Sequence, residues 1–106
     1  MKQEMKASEV AYRAAGVMAR QGHCKNTIRD WQGKVCYLGA LREVSSNDAF
    51  FMNELEMKVY WTSRSLLRER GDNTDPVRYN NRPSVTGEDV ILLLKETGRR
   101  LEEEGK

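Results

Sequence analysis

NDAFFMNELEMKVYWTSRSLLRER, residues 47–70, is the longest periodic stretch of the chain, and its period decides the fold class. Met52, Leu55, Val59, Thr62 and Leu66 recur at steps of three and four, which aligns them on one face of an α-helix. Asn47 is a good N-cap, Asp48 suits the positive end of the helix dipole, and Gly71 stops the run. The spacing predicts one helix over 47–70, about 35 Å long at 1.5 Å per residue, as the spine of the domain. Phe50, Phe51, Met57, Tyr60, Trp61 and Leu67 widen its apolar surface beyond one stripe, so contact on two sides is expected.

Working outward, ASEVAYRAAGVMARQ, residues 7–21, carries alanines, Val10, Val17 and Met18 at helical spacing, with Gly22 placed for a C-terminal cap. Its small residues would let a partner element come close. At the other end Val90, Leu93, Leu94, Thr97 and Leu101 mark a helix over 87–103, opened by Thr86 and Asp89 in a capping-box arrangement. A short helix is expected over 36–44 from Leu38, Leu41 and Val44; Gly39 would weaken it by about 1 kcal/mol unless something packs tightly there. Residues 24–36 read as a β-hairpin, with Thr27, Ile28 and Val35 flanking the turn Asp30-Trp31-Gln32-Gly33. Residues 72–85 hold both prolines and read as an ordered loop. The expected fold is thus mainly α: a four-helix single domain with a small β-hairpin between the first and second helices.

A chain of 106 residues suits one domain, residues 1–106, around one core. It is 39% hydrophobic and 32% charged, too apolar for the disordered class. A net charge of +2, with no basic face on any helix, makes nucleic acid an unlikely partner. The start, MKQEMKASEV, lacks the apolar run of a secretory signal, and the longest apolar run, Val90 to Leu94, is far short of a membrane span. A cytoplasmic location away from membranes, with reduced thiols, is expected.

The segment 23–36 also holds the only histidine and both cysteines. A structural zinc site takes four ligands, and His23, Cys24 and Cys36 could reach that number only with a carboxylate such as Asp30, at a spacing that matches no common zinc module. No metal and no cofactor are expected. A thiol nucleophile would be Cys36, at a helix start whose amide groups favour a thiolate, with His23 as its base; the commoner state of a free cysteine is a buried small hydrophobe. No glycine-rich phosphate loop is present. VRYNNRP, residues 77–83, is the more informative surface: Tyr79 and Arg82 are anchor types at protein interfaces, and Asn80 and Asn81 offer uncharged donors and acceptors. In turns, asparagines more often brace their own loop. Trp31, at the turn, either meets a partner or folds back on the core.

HCKNTIRDWQGKVCYLGAL followed by VRYNNRPSVTGEDVILLLKE resembles a family of small uncharacterised proteins of actinomycetes and their phages. Members tend to read Trp-Cys, a glycine, Cys-x-Leu-Gly-Ala, then Trp-Asn-Asp and Thr-x-x-Glu-Val, here met by Cys24, Gly33, Cys36, Leu38 to Leu41, Asn80, Pro83, Thr86 and Val90. His23 and Tyr79 stand where the family has tryptophan, which implies a packing position for His23. The resemblance implies a context, that of actinomycetes and their phages, and no chemistry. The expected function is a small non-enzymatic cytoplasmic protein, in phage form an accessory factor, that binds a protein partner through Trp31, Tyr79, Asn80, Asn81 and Arg82. The alternatives are a thiol-dependent enzyme or redox protein using Cys36 with His23, and a helical protein that self-associates as a homo-oligomer or binds nucleic acid weakly.

Overall fold

In a computed structural model that describes residues 5–49 and 51–106, the chain forms five helices: α1 (Ala7–Gln21), α2 (Tyr37–Ser45), α3 (Glu54–Glu69), α4 (Pro76–Asn81) and α5 (Gly87–Glu103). No β-strand occurs among the described residues. The four-helix domain with a hairpin is therefore corrected on two counts, a fifth helix and a missing sheet. Residues 1–4, which open the expected signal-free start, and Phe50, counted on the apolar surface of the spine, lie outside the described residues.

The centre of the fold is α1, and not α3 as the long period implied. Ala7, Val10, Ala11, Ala14, Ala15, Val17 and Met18 are all buried on α1, which packs most extensively on α5 and also against α2 and α3. Alanines have little volume, so the neighbouring helices can approach closely enough to bury Val90, Leu93, Leu94 and Leu101 of α5 on the facing side.

The third helix starts seven residues later than its period predicts. Asn53 accepts from the Glu56 backbone N–H at 2.9 Å, and Glu56 Oε1 accepts from the Asn53 N–H at 2.8 Å, a reciprocal capping box that ends the helix there. Asn47 makes a turn of its own instead, its Oδ1 accepting from the Ala49 N–H at 3.0 Å and its Nδ2 donating to Phe51 O at 3.1 Å. At 16 residues α3 is about 24 Å long.

The hairpin fails for a backbone reason. Its turn is present: Asp30 Oδ1 accepts from the N–H groups of Gln32 at 3.0 Å and Lys34 at 2.9 Å, and Gly33 takes φ +84°. Beyond the turn, pairing stops after the single antiparallel bridge Arg29↔Val35, because Asn26, at φ +64°, turns the chain away. The other edge of Val35 is taken by the incoming chain, which meets it in a parallel bridge with His23. One residue held between two isolated bridges is not a ladder.

The expected loop 72–85 contains α4, opened by Asp75, which accepts from the Arg78 N–H at 2.9 Å, with Pro76 in the first helical turn where its missing N–H costs nothing. A buried hydroxyl chain ties α2, α3 and α5 together. Thr97 Oγ1 donates to Leu93 O at 2.7 Å, so it must accept from Ser63 Oγ at 2.7 Å, and Ser63 in turn accepts from Tyr37 Oη at 2.7 Å. Burial holds the Tyr37 phenol neutral by pushing its pKa far up.

Candidate functional site

Asn80 joins the three segments that sequence reading singled out. It is fully buried, and its Nδ2 donates to Cys24 O at 3.1 Å and to Asn81 Oδ1 at 3.0 Å. Those two acceptors fix the amide orientation. Its Oδ1 then accepts from the Tyr37 backbone N–H at 3.0 Å and from His23 Nε2 at 2.9 Å, so His23 carries its proton on Nε2. Asn80 thereby satisfies an otherwise orphaned donor in the first turn of α2, from a different helix. The methylene of His23 packs on the start of α5, where a Cβ added to Gly87 would lie 2.8 Å from it.

Asn81 braces the same junction, its Oδ1 accepting at 2.8 Å from the N–H of Asn26, the residue at positive φ. Tyr79 is half-buried against the core, and the Arg82 guanidinium lies 6.0 Å over its ring. Arg82 grips Asp72 with two hydrogen bonds, of 2.7 and 2.8 Å, and its carbonyl accepts from Lys25 Nζ at 2.5 Å. The Arg82 guanidinium holds the Asp72 carboxyl below its ordinary range. A carboxylate depressed in the folded state contributes stability in full above its ordinary pKa, near 4, and loses it as pH falls through the lower folded value. Arg82→Ala is therefore expected to flatten the acid limb of a stability-versus-pH curve below about pH 4 while lowering the neutral plateau modestly, since both side chains are partly exposed. Urea titrations at pH 3, 5 and 7, followed by circular dichroism, check it.

Trp31 is the residue of the five that stands clear of the protein, 91% exposed at the tip of the turn braced by Asp30. Phe51, in the loop before α3, is the next most exposed large apolar side chain, at 78%.

Both cysteines are free thiols and buried. The Gly39 N–H donates to Cys36 Sγ at 3.4 Å, so the sulfur caps α2. Cys24 Sγ lies 3.3 Å from Lys34 O and 3.5 Å from Thr27 O, and burial, then the neighbouring Cys36 and Asp30, push its thiol up. Such a shift opposes nucleophilic activation. His23 is engaged with Asn80 and not with either sulfur. Cys36 does line a mostly apolar groove of about 320 Å³, with Asn26, Ile28, Leu38, Val77 and Asn81. Among the described residues no three His, Cys, Asp or Glu side chains converge to hold a metal, and no helix is long and apolar enough to cross a membrane.

Of the side chains that widen the apolar surface of α3, the one on which self-association would rest, Met57 is 44% and Trp61 52% exposed, with the Arg64 guanidinium 5.3 Å above the indole.

In comparison with known proteins, the profile of a family of unknown function (DUF6197) matches residues 2–100. No curated protein and no solved structure matches the chain.

Proposed function

From the premise that the chain belongs to this family of unknown function, we propose that it is a non-enzymatic binding module whose main contact is Trp31. The observation that carries this reading is the 91% exposure of that indole on a turn already fixed by the Asp30 carboxylate. A large apolar side chain held in water at a rigid site gives up little conformational entropy on docking and gains the whole burial term, which is the profile of an interface anchor. Asn80 and Asn81 serve the reading indirectly, by bracing the loop from below, while the outward edges of Tyr79 and Arg82 extend the contact. The actinomycete or phage setting implied by the resemblance makes a host protein in the cytoplasm the partner sought.

Trp31→Ala is expected to leave stability within about 0.5 kcal/mol of wild type, because the side chain touches little of its own fold. It should weaken a captured partner by more than about tenfold. Parallel capture from an actinomycete lysate on both proteins, with binding curves for each retained species, tests the proposal. Retention of the same partners with equal affinity would refute it. A second reading, self-association, is favoured by the exposed Met57 and Trp61 on α3, and sedimentation of Trp61→Ala beside wild type over a range of concentrations separates it from the first.

A further inference from the structure

We propose that Cys24 and Cys36 form an oxidisable pair, joined through exchange with a low-molecular-weight disulfide of the glutathione class, so that the loop displaying Trp31 becomes a closed ring. The register around Val35 carries the argument. The Val35 N–H donates to Gly22 O at 3.0 Å and the Cys24 N–H donates to Val35 O at 3.0 Å, the bond pattern of the parallel His23↔Val35 bridge. In parallel pairing adjacent segments run about 4.8 Å apart and paired side chains point to the same face. One residue further along each segment are Cys24 and Cys36, and Cys36 stays extended, at φ −89° and ψ −178°. The same register therefore brings their α-carbons into the range of about 4.4–6.8 Å that a disulfide spans, with both sulfurs on one side. The turn register alone, in which the Cys36 N–H donates to Ile28 O at 3.2 Å, would leave Cys24 out of reach; the parallel bridge on the other edge of Val35 is what brings it in. Cys24 Sγ, 3.3 Å from Lys34 O, already leans across the segment that carries Cys36. Cys36 is also one of the groups that raise the Cys24 thiol.

The exchange balances without another reagent. Cys36, which lines the groove, attacks one sulfur of the small disulfide as its thiolate, forming a mixed disulfide and releasing one small thiol. Cys24 then loses its proton to water and attacks the Cys36 sulfur, breaking the mixed bond and releasing the second thiol. The protein loses two protons and two electrons, and the small disulfide takes them up as its two thiols. Asn80, which holds Cys24 O, keeps the ends of the ring in place before and after.

The 106-residue chain is equilibrated in mixtures of reduced and oxidised glutathione from two starting points: the dithiol, and chain oxidised in urea and then refolded. Acid quenching, alkylation and peptide mass mapping read the products. The expected result is convergence from both sides on a Cys24–Cys36 bond, with an equilibrium constant about tenfold or more larger in the folded chain than in urea, and a higher melting temperature for the oxidised form. Cys24→Ser should collect a glutathione adduct on Cys36, whereas Cys36→Ser should leave Cys24 unmodified. Convergence on free thiols or on a single adduct, an equilibrium constant no larger than in urea, or an oxidised form that melts lower would overturn the pair. An adduct on Cys24 in preference to Cys36 would overturn the order of attack.

Discussion

Gly39→Ala is expected to cost about 3 kcal/mol, at the upper end of the usual range for overpacking, although alanine is the better helix former by about 1 kcal/mol. A Cβ at this position would stand 2.1 Å from Ile28 O and 3.1 Å from Ile28 C. Those are backbone atoms, and the carbonyl is fixed from the other side by the Cys36 N–H at 3.2 Å. Relief requires the 28–29 peptide to move, which breaks the Arg29↔Val35 bridge and loosens the turn that carries Trp31. Gly16→Ala in α1 is the control. The added carbon there meets only the tip of the Arg20 side chain, at 3.3 Å, so the propensity gain should prevail and raise stability by about 0.5–1 kcal/mol. Urea unfolding of the three proteins decides the matter, and a Gly39→Ala protein as stable as Gly16→Ala would sink the steric account.

Asn80→Ala should cost about as much, roughly 3–4 kcal/mol, for a different reason. It strands the His23 Nε2–H, the Tyr37 backbone N–H and Cys24 O in a buried junction, and each orphaned group costs about 1–3 kcal/mol. Against a total stability of about 5–15 kcal/mol this is a large share. Asn80→Asp should be no better, because a carboxylate oxygen would replace the Nδ2 donor and face Cys24 O and Asn81 Oδ1. Asn81→Ala, one residue along, removes the acceptors of two bonds and leaves a junction that water can reach, so a cost of about 1 kcal/mol is expected. Chemical denaturation of the set reads the ranking. Equal losses at 80 and 81 would mean that Asn80 is not the keystone.

The contrast between those adjacent asparagines shows how much of the site was legible. A bracing duty for these asparagines was readable from the residue type, but the backbone they hold is that of Cys24, Asn26 and Tyr37 and not of their own loop. That one of them reaches 56 positions back to Cys24 was not readable, because the contact is made by tertiary folding. Helices α1 and α5 were readable to the residue, since the apolar period agrees with Gly22 at the end of α1 and with the Thr86 and Asp89 box at the start of α5. For α3 the two signals conflicted: the apolar period runs back to Met52, whereas Asn53 and Glu56 form the same reciprocal box that Thr86 and Asp89 make on α5. The cap won, because it satisfies backbone donors that a period alone leaves open. The Asp-Pro pair at 75–76 announced α4 in the same language, but the second proline and the asparagines pointed to a loop. In the 24–36 segment the turn chemistry was correct and the pairing was not, since strand propensity cannot reveal that the chain before the turn takes one edge of Val35. A close approach at Gly39 was also foreseen, though it comes from a loop carbonyl and not from a helix.

The line of hydroxyls from Tyr37 through Ser63 to Thr97 has a consequence for helix register. Apolar faces of Val, Leu and Ala tolerate small sliding, because one methyl can replace another at similar cost. A donor line cannot slide: moving α5 by a single residue would swing Thr97 by about 100° about the helix axis and offer Ser63 either Glu96 or Gly98 instead. Three small polar groups thus work as a lock on which rung of α5 meets α3, selecting one arrangement from several that the greasy surfaces alone would accept.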